Sequence, residues 1–243
     1  MSTIEGPGES SELVTLKTSS LTSVVEKEIE RLILGGKLQP GERLNEFQLA
    51  NRFGMSRGPL REAMRSLNAR GLVDVVRNRG VFVRQIPVEE ALEIYDLRSA
   101  IFGLAGRLLA DRLTDEMLLK LKAFLKTMDG HAANGDFDAY YPVNLAFHAF
   151  LVTSTGNKTL VSEYQSFVDR LHLCRTRTLV QAKGLSVSNY EHREMVDALA
   201  SGNINRAHEA FFRHVQRAKL RFLSTIEEPA NENGALAVVA TDQ

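Results

Sequence analysis

The side chains best placed for chemistry are Asn144, His148, His192 and His214. Asn144 and His148 are four residues apart, so on a helix they stand about 40° from each other and face one point. His192 and His214 fall on later helical segments. Three imidazoles and an amide oxygen inside a helical bundle can hold a divalent metal such as zinc, nickel or manganese. The same spacing also suits histidines buried in a core or lying on a surface, and on spacing alone that plainer reading is favoured. His131, His172 and His208 lack partners by spacing and read as surface or core residues.

A second constellation is cationic. In Ser56-Arg57-Gly58-Pro59-Leu60-Arg61-Glu62, a helix cap is followed by arginines one turn apart. A helix entering the DNA major groove needs cationic and polar groups in its first turns. Arg57 and Arg61 can meet phosphates or pair bidentately with guanine. Ser56 can cap the helix, and Gly58 allows close backbone approach. Arg79 and Gly80 suit the tip of a wing entering a minor groove. Arg43, ahead of the preceding helix, suits a phosphate contact. Solvated arginines on a small helical domain are the plainer alternative. The joint pattern of cap, spacing, break and basic wing tip favours DNA.

The elements that must position these groups follow from periodicity. Apolar residues at 25, 29, 32 and 33 predict a helix over 22–35, stopped by Gly35-Gly36. Residues 38–44 read as a turn. A short helix over 46–53 carries Phe47, Leu49, Ala50 and Phe53 as its apolar positions. A third helix over 57–70 buries Leu60, Ala63, Met64 and Leu67, with Pro59 tolerated in its first turn. Two β-prone runs, 72–76 and 81–86, flank Arg77-Asn-Arg-Gly80 and read as a hairpin. Three helices followed by a hairpin make a winged helix-turn-helix. Beyond Pro87, helices are expected over 88–112, 115–133, 137–155, 158–182, 187–201 and 203–227. Pro142 should kink the third of these or start it afresh. The fold class is therefore mostly α: a winged helix-turn-helix over 21–86 and an all-helical bundle over 87–228. Residues 1–20 read as a disordered leader and 229–243 as a flexible tail.

Composition limits the remaining possibilities. The chain has 243 residues, 44% of them apolar, which suffices for two cores. A lone cysteine, Cys174, excludes an internal disulfide and a multi-cysteine zinc site. No apolar run is long enough for a membrane span, and a cytoplasmic setting is expected. The net charge is zero, yet residues 37–84 hold ten basic side chains against four acidic ones. A basic module joined to an acidic one suits a DNA reader with an attached second domain.

Pro40-Gly-Glu-Arg-Leu-Asn-Glu46, Phe53-Gly-Met-Ser-Arg-Gly-Pro-Leu-Arg-Glu-Ala63 and Gly80-Val-Phe-Val83 resemble the N-terminal domain of GntR-family bacterial regulators. The resemblance implies operator contacts at Ser56, Arg57, Gly58, Arg61, Arg79 and Gly80. Phe47 stands where some members carry arginine. Tyr95-Asp-Leu-Arg98, Asn144-Leu-Ala-Phe-His148, Glu191-His192 and Ala210-Phe-Phe-Arg-His214 resemble the all-helical effector domain of the FCD branch. It implies a metal, most often zinc, held by His148, His192 and His214, with Asn144 where aspartate is usual. Phe102 stands where glutamate is usual. It also implies a pocket in which Arg98 grips a carboxylate, unless it pairs with Glu93 at the surface, and Arg175 assists. The expected protein is a homodimeric transcription factor that is not an enzyme: a repressor of double-stranded operator DNA, released by a small organic acid. A metal-dependent hydrolase and an architectural DNA-binding protein are the alternatives; no carboxylate is evident beside His148 or His214 to act as a base.

Overall fold

The structure, a computed structural model, describes residues 8–174 and 183–227. Among the described residues there are two compact units, one formed by 8–94 and 161–174 and the other by 95–160 and 183–227. In the first unit, α1 (Gly8–Leu34) packs on α3 (Arg57–Ala69), with α2 (Glu46–Arg52) against α3. A three-stranded antiparallel sheet is ordered β1 (Arg43–Leu44), β3 (Gly80–Val83), β2 (Val73–Val76). The expected apolar stripes are buried: Val25, Ile29, Leu32 and Ile33 on α1, and Leu60, Ala63, Met64 and Leu67 on α3.

The differences have local causes. Helix α1 starts at Gly8, so residues 8–20, expected as a leader, are helical. No glycine or proline separates Gly8 from Gly35 to stop it. Strand β1 replaces part of the expected turn over 38–44. Two residues have no period to read, and only pairing with β3 makes them a strand. Ser56 occupies the N-cap position of α3, but its hydroxyl makes no capping bond. Phe47 does not share the buried face of Leu49 and Ala50; it is 57% exposed.

The second unit draws on α4 (Val88–Ala110), α5 (Asp115–Ala133), α6 (Phe137–Thr153), α8 (Lys183–Ala200) and α9 (Ile204–Glu227). Helix α5 lies against α6 and α8, and α8 against α9. Phe102, Leu121, Met128, Phe147, Met195 and Phe211 are among its core side chains. The dipeptide Gly202-Asn203 separates α8 from α9. Gly202 takes φ +66°, which glycine reaches without steric cost, and the Asn203 side chain accepts the Arg206 N–H at 3.0 Å to cap the new helix. Helix α6 continues through Pro142, so no fresh start occurs there. Helix α8 begins at Lys183 rather than near 187. Residues 183–186, Gly184 among them, are therefore helical.

Helix α7 (Lys158–Leu173) belongs largely to the first unit. Its Leu173 joins the core formed by Leu60, Leu67 and Val83. Buried Asp169 pairs with Arg70, the residue that ends α3, and Arg70 also binds Glu30 of α1 at 2.7 and 2.9 Å. Burial pushes the Asp169 carboxyl above its ordinary value, although Arg70 and Gln165 oppose this. Residues 175–182, expected to continue this helix, lie outside the described residues, as does the expected tail over 229–243. No described helix is long and apolar enough to cross a membrane.

Candidate metal centre and nucleic-acid interface

In the second unit, α6, α8 and α9 bring His148, His192 and His214 together. One nitrogen from each lies within 4.8 Å of the others. The ring centroids are 4.9 to 5.0 Å apart in all three pairs. His192 is fully buried, and neither of its nitrogens has a hydrogen-bond partner. Buried polar atoms are rarely left unmatched, because each costs about 1–3 kcal/mol. An imidazole facing two others with both nitrogens unmatched has the donor chemistry of a metal ligand. Burial lowers the proton affinity of His192 well below its ordinary value and also lowers that of His214. Both rings are therefore held neutral, the form that binds a metal.

The other expected residues are placed as follows. Asn144 is half-buried on α6, one turn ahead of His148. Arg98 is buried on α4 and close enough to His214 to lower its proton affinity further. Arg175 lies outside the described residues. Phe102 is fully buried, with its ring 5.3 Å from that of His148 and 6.2 Å from that of His214. It forms an apolar wall of the cluster. His208 packs at Gly103.

One site residue escaped the sequence reading. Glu191 is buried, and its Oε2 lies 2.8 Å from Nδ1 of His214. Arg221 donates to Oε1 at 2.7 Å and to Oε2 at 3.1 Å. Burial would raise the Glu191 carboxyl, but His214 and Arg221 outweigh it and hold the group below its ordinary value. A carboxylate thus stands beside His214, where the sequence made no base evident. A free base is still lacking there, because both oxygens are engaged. The only sequence signal was the Glu-His adjacency at 191–192. It does not reveal a partner on another helix.

In the first unit, the expected DNA-facing residues gather around α3 and the hairpin. Arg57, Arg61 and Arg65 are all exposed. Arg61 Nε donates to Glu46 at 2.8 Å, and the Arg57 guanidinium lies 5.5 Å from the Phe47 ring centre. The first turn of α2 therefore orients two arginines of α3. This is where Phe47, in place of an arginine, finds a role. Ser56 and Gly58 are exposed, and Gly58 faces open space. Gly80 has φ +112°, and a Cβ there would meet Arg43 Nε at 3.2 Å. Arg43, brought to the hairpin by β1, shares a cleft with Asn45, Phe47 and Gly80. Arg79 lies over Phe82 with its guanidinium 6.0 Å from the ring centre.

A winged helix-turn-helix with this cationic face, carried in one chain with a helical bundle, defines a DNA-binding transcriptional regulator. Residues 21–83 match "Bacterial regulatory proteins, gntR family" and residues 93–217 match "FCD domain". The chain belongs to the GntR family of bacterial regulators, in its FCD-containing form. It is 30% identical over 207 residues to the HTH-type transcriptional regulator YdhC of Bacillus subtilis (strain 168), covering 85% of this chain and 92% of that one. It is 28% identical over 191 residues to the HTH-type transcriptional repressor GlaR of Escherichia coli (strain K12), covering 75% and 87%. Among solved structures, E. coli McbR/YncC superposes with a TM-score of 0.73 at 22% identity, covering 85% of this chain and 98% of that one. These families and relatives are transcriptional regulators, not enzymes.

Proposed function

We propose that the protein is a homodimeric, metal-containing repressor whose hold on operator DNA is weakened by a small carboxylate metabolite. Arg57 and Arg61 read bases or phosphates in the major groove, with Ser56 and Gly58 at the close approach. Arg79 and Gly80 enter the adjacent minor groove, and Arg43 holds a phosphate. A symmetric dimer meets a near-palindromic operator through two such readers. In the bundle, His148, His192 and His214, with Asn144, hold zinc. When bound, the zinc offers open positions to an incoming carboxylate, which Arg98 grips from α4 and Arg175 assists. The observation that carries this reading is fully buried His192, facing two further imidazoles with both nitrogens unmatched.

The ligand must bind the DNA-competent and DNA-incompetent forms unequally, since equal affinity shifts no population. The test is fluorescence anisotropy on DNA from the protein's own upstream region, with zinc-loaded protein and a panel of organic acids. At least one carboxylate should weaken binding, and the His192→Ala protein should not respond. A complete panel without effect on a zinc-loaded, DNA-binding protein would refute the proposal.

A further inference from the structure

We propose that Glu191 is a positioning residue of the metal centre: clamped by Arg221, it fixes the tautomer of His214 and supplies, through that ring, negative charge that the donor set itself lacks. The inference rests on the metal reading above and concerns residues assigned no part in it.

Glu191 engages one nitrogen of His214 and leaves the other. Glu191 Oε2 lies 2.8 Å from Nδ1. Arg221 donates to both oxygens of Glu191, which leaves the carboxylate to accept from the ring and places the ring proton on Nδ1. The lone pair then lies on Nε2, which is left for the metal. A carboxylate accepting from the far nitrogen of a metal-bound histidine both fixes the ring and raises its basicity.

The clamp explains why Glu191 stays in place. Its side chain is 3% exposed, and Arg221 engages both of its oxygens from α9. His214 and Arg221 are seven residues apart on α9, hence on one face two turns apart. A single residue of α8 therefore bridges two positions of α9. A second pair, Glu194 with Arg217 at 2.5 Å, ties the same two helices a turn away. That pair is far more exposed on both sides, at 39% and 40%. Simple stapling of α8 to α9 therefore does not require a buried carboxylate. Glu191 adjoins His192 in sequence, yet His192 has no hydrogen-bond partner. The carboxylate is directed specifically to the imidazole across the helix pair.

Asn144 gives this arrangement added weight. With an amide in place of a carboxylate, three neutral imidazoles and a neutral oxygen surround the ion. Glu191 is then the anion in direct contact with a ligand ring.

The experiment uses the full-length protein and four forms: wild type, His192→Ala, Glu191→Gln and Glu191→Gln/Asn144→Asp. Zinc affinity is measured by competition with a chromophoric chelator, and cobalt(II) is bound to record its visible spectrum. Glutamine keeps the shape and can still accept from Nδ1 but removes the charge. Glu191→Gln should bind zinc about 10- to 100-fold more weakly, within the range such outer partners carry. Its cobalt spectrum should shift, which loss of mere helix stapling would not cause. Adding Asn144→Asp should recover a large part of the affinity by restoring an anion at the metal. Wild-type zinc affinity and an unchanged cobalt spectrum in Glu191→Gln would overturn the proposal while leaving the metal reading intact. A folded wild type that binds neither metal would overturn both. Should Glu191→Gln fold poorly, Arg221→Met is the second variant: it frees the carboxylate while retaining its charge. It should weaken zinc binding by a smaller factor, and unchanged affinity there would also overturn the clamp.

Discussion

Replacing His192 by leucine should raise stability without metal and abolish the response to it. A neutral imidazole has one donor and one acceptor, and in His192 both nitrogens are buried and unmatched. Each unmet group costs about 1–3 kcal/mol. Leucine of similar volume removes both, while imperfect packing returns roughly 1 kcal/mol. Chelator-treated His192→Leu should therefore be more stable than chelator-treated wild type by about 1–5 kcal/mol. For a chain of this length that is a melting point higher by roughly 2–20 °C. Zinc should close or reverse this gap. At about 100 times its dissociation constant it adds about 2.7 kcal/mol to a protein that binds it only when folded. The variant should gain nothing. Thermal unfolding followed by circular dichroism, with chelator and with zinc, reads both effects. A chelator-treated variant less stable than wild type would show that the nitrogens of His192 are satisfied. An equal zinc gain in both proteins would show that His192 is not a ligand.

Three further outcomes are expected. Arg61→Ala should weaken operator binding by about 1–3 kcal/mol, roughly 5- to 150-fold, if it reads a base. It should change stability by less than about 1 kcal/mol, because its pair with Glu46 is exposed. Anisotropy on operator and scrambled DNA, beside a melting curve, separates the two. Gly106→Ala should destabilise the bundle by about 1–3 kcal/mol. A Cβ there would lie 2.7 Å from the Ala207 carbonyl and 2.7 Å from the Phe211 ring, and urea unfolding would detect the loss. The metal-free protein should weaken as pH falls below about 6.5, the ordinary histidine value. Burial depresses His192 and His214, so the unfolded chain takes up protons that the folded bundle refuses. Their contribution is full above that pH and declines below it, by up to about 1.4 kcal/mol per unit and per histidine. A melting point flat from pH 7 to 5 would contradict the neutral buried rings.

Much of this protein is legible in one dimension because its signals are local. The stripes Val25–Ile29–Ile33 and Leu60–Met64–Leu67 announce their helices, since burial of one face imposes a period near 3.6. Gly202-Asn203 marks a helix stop and the next start through backbone freedom and side-chain capping. The Asn144–His148 spacing and the arginines around Ser56 identify the residues worth following. By itself the sequence thus determined most of the helical stretches, the inward faces of α1 and α3, and which residue types stand available for DNA and metal.

Other features depend on partners distant along the chain. Glu191 reads as one more acidic helix residue until α9 brings His214 and Arg221 to it. Phe47 reads as one of the apolar positions of its helix until packing leaves its ring outside with Arg57 beside it. Strand β1 exists only because β3 offers it hydrogen bonds. Helix α7, bound in sequence to the bundle, spends Asp169 and Leu173 on the DNA-reading unit. Only the tertiary structure decided these, because a long-range ion pair, ring contact or strand pairing leaves no period behind. Burial then gives them weight: a carboxylate that costs little at the surface must have its partners when water is excluded.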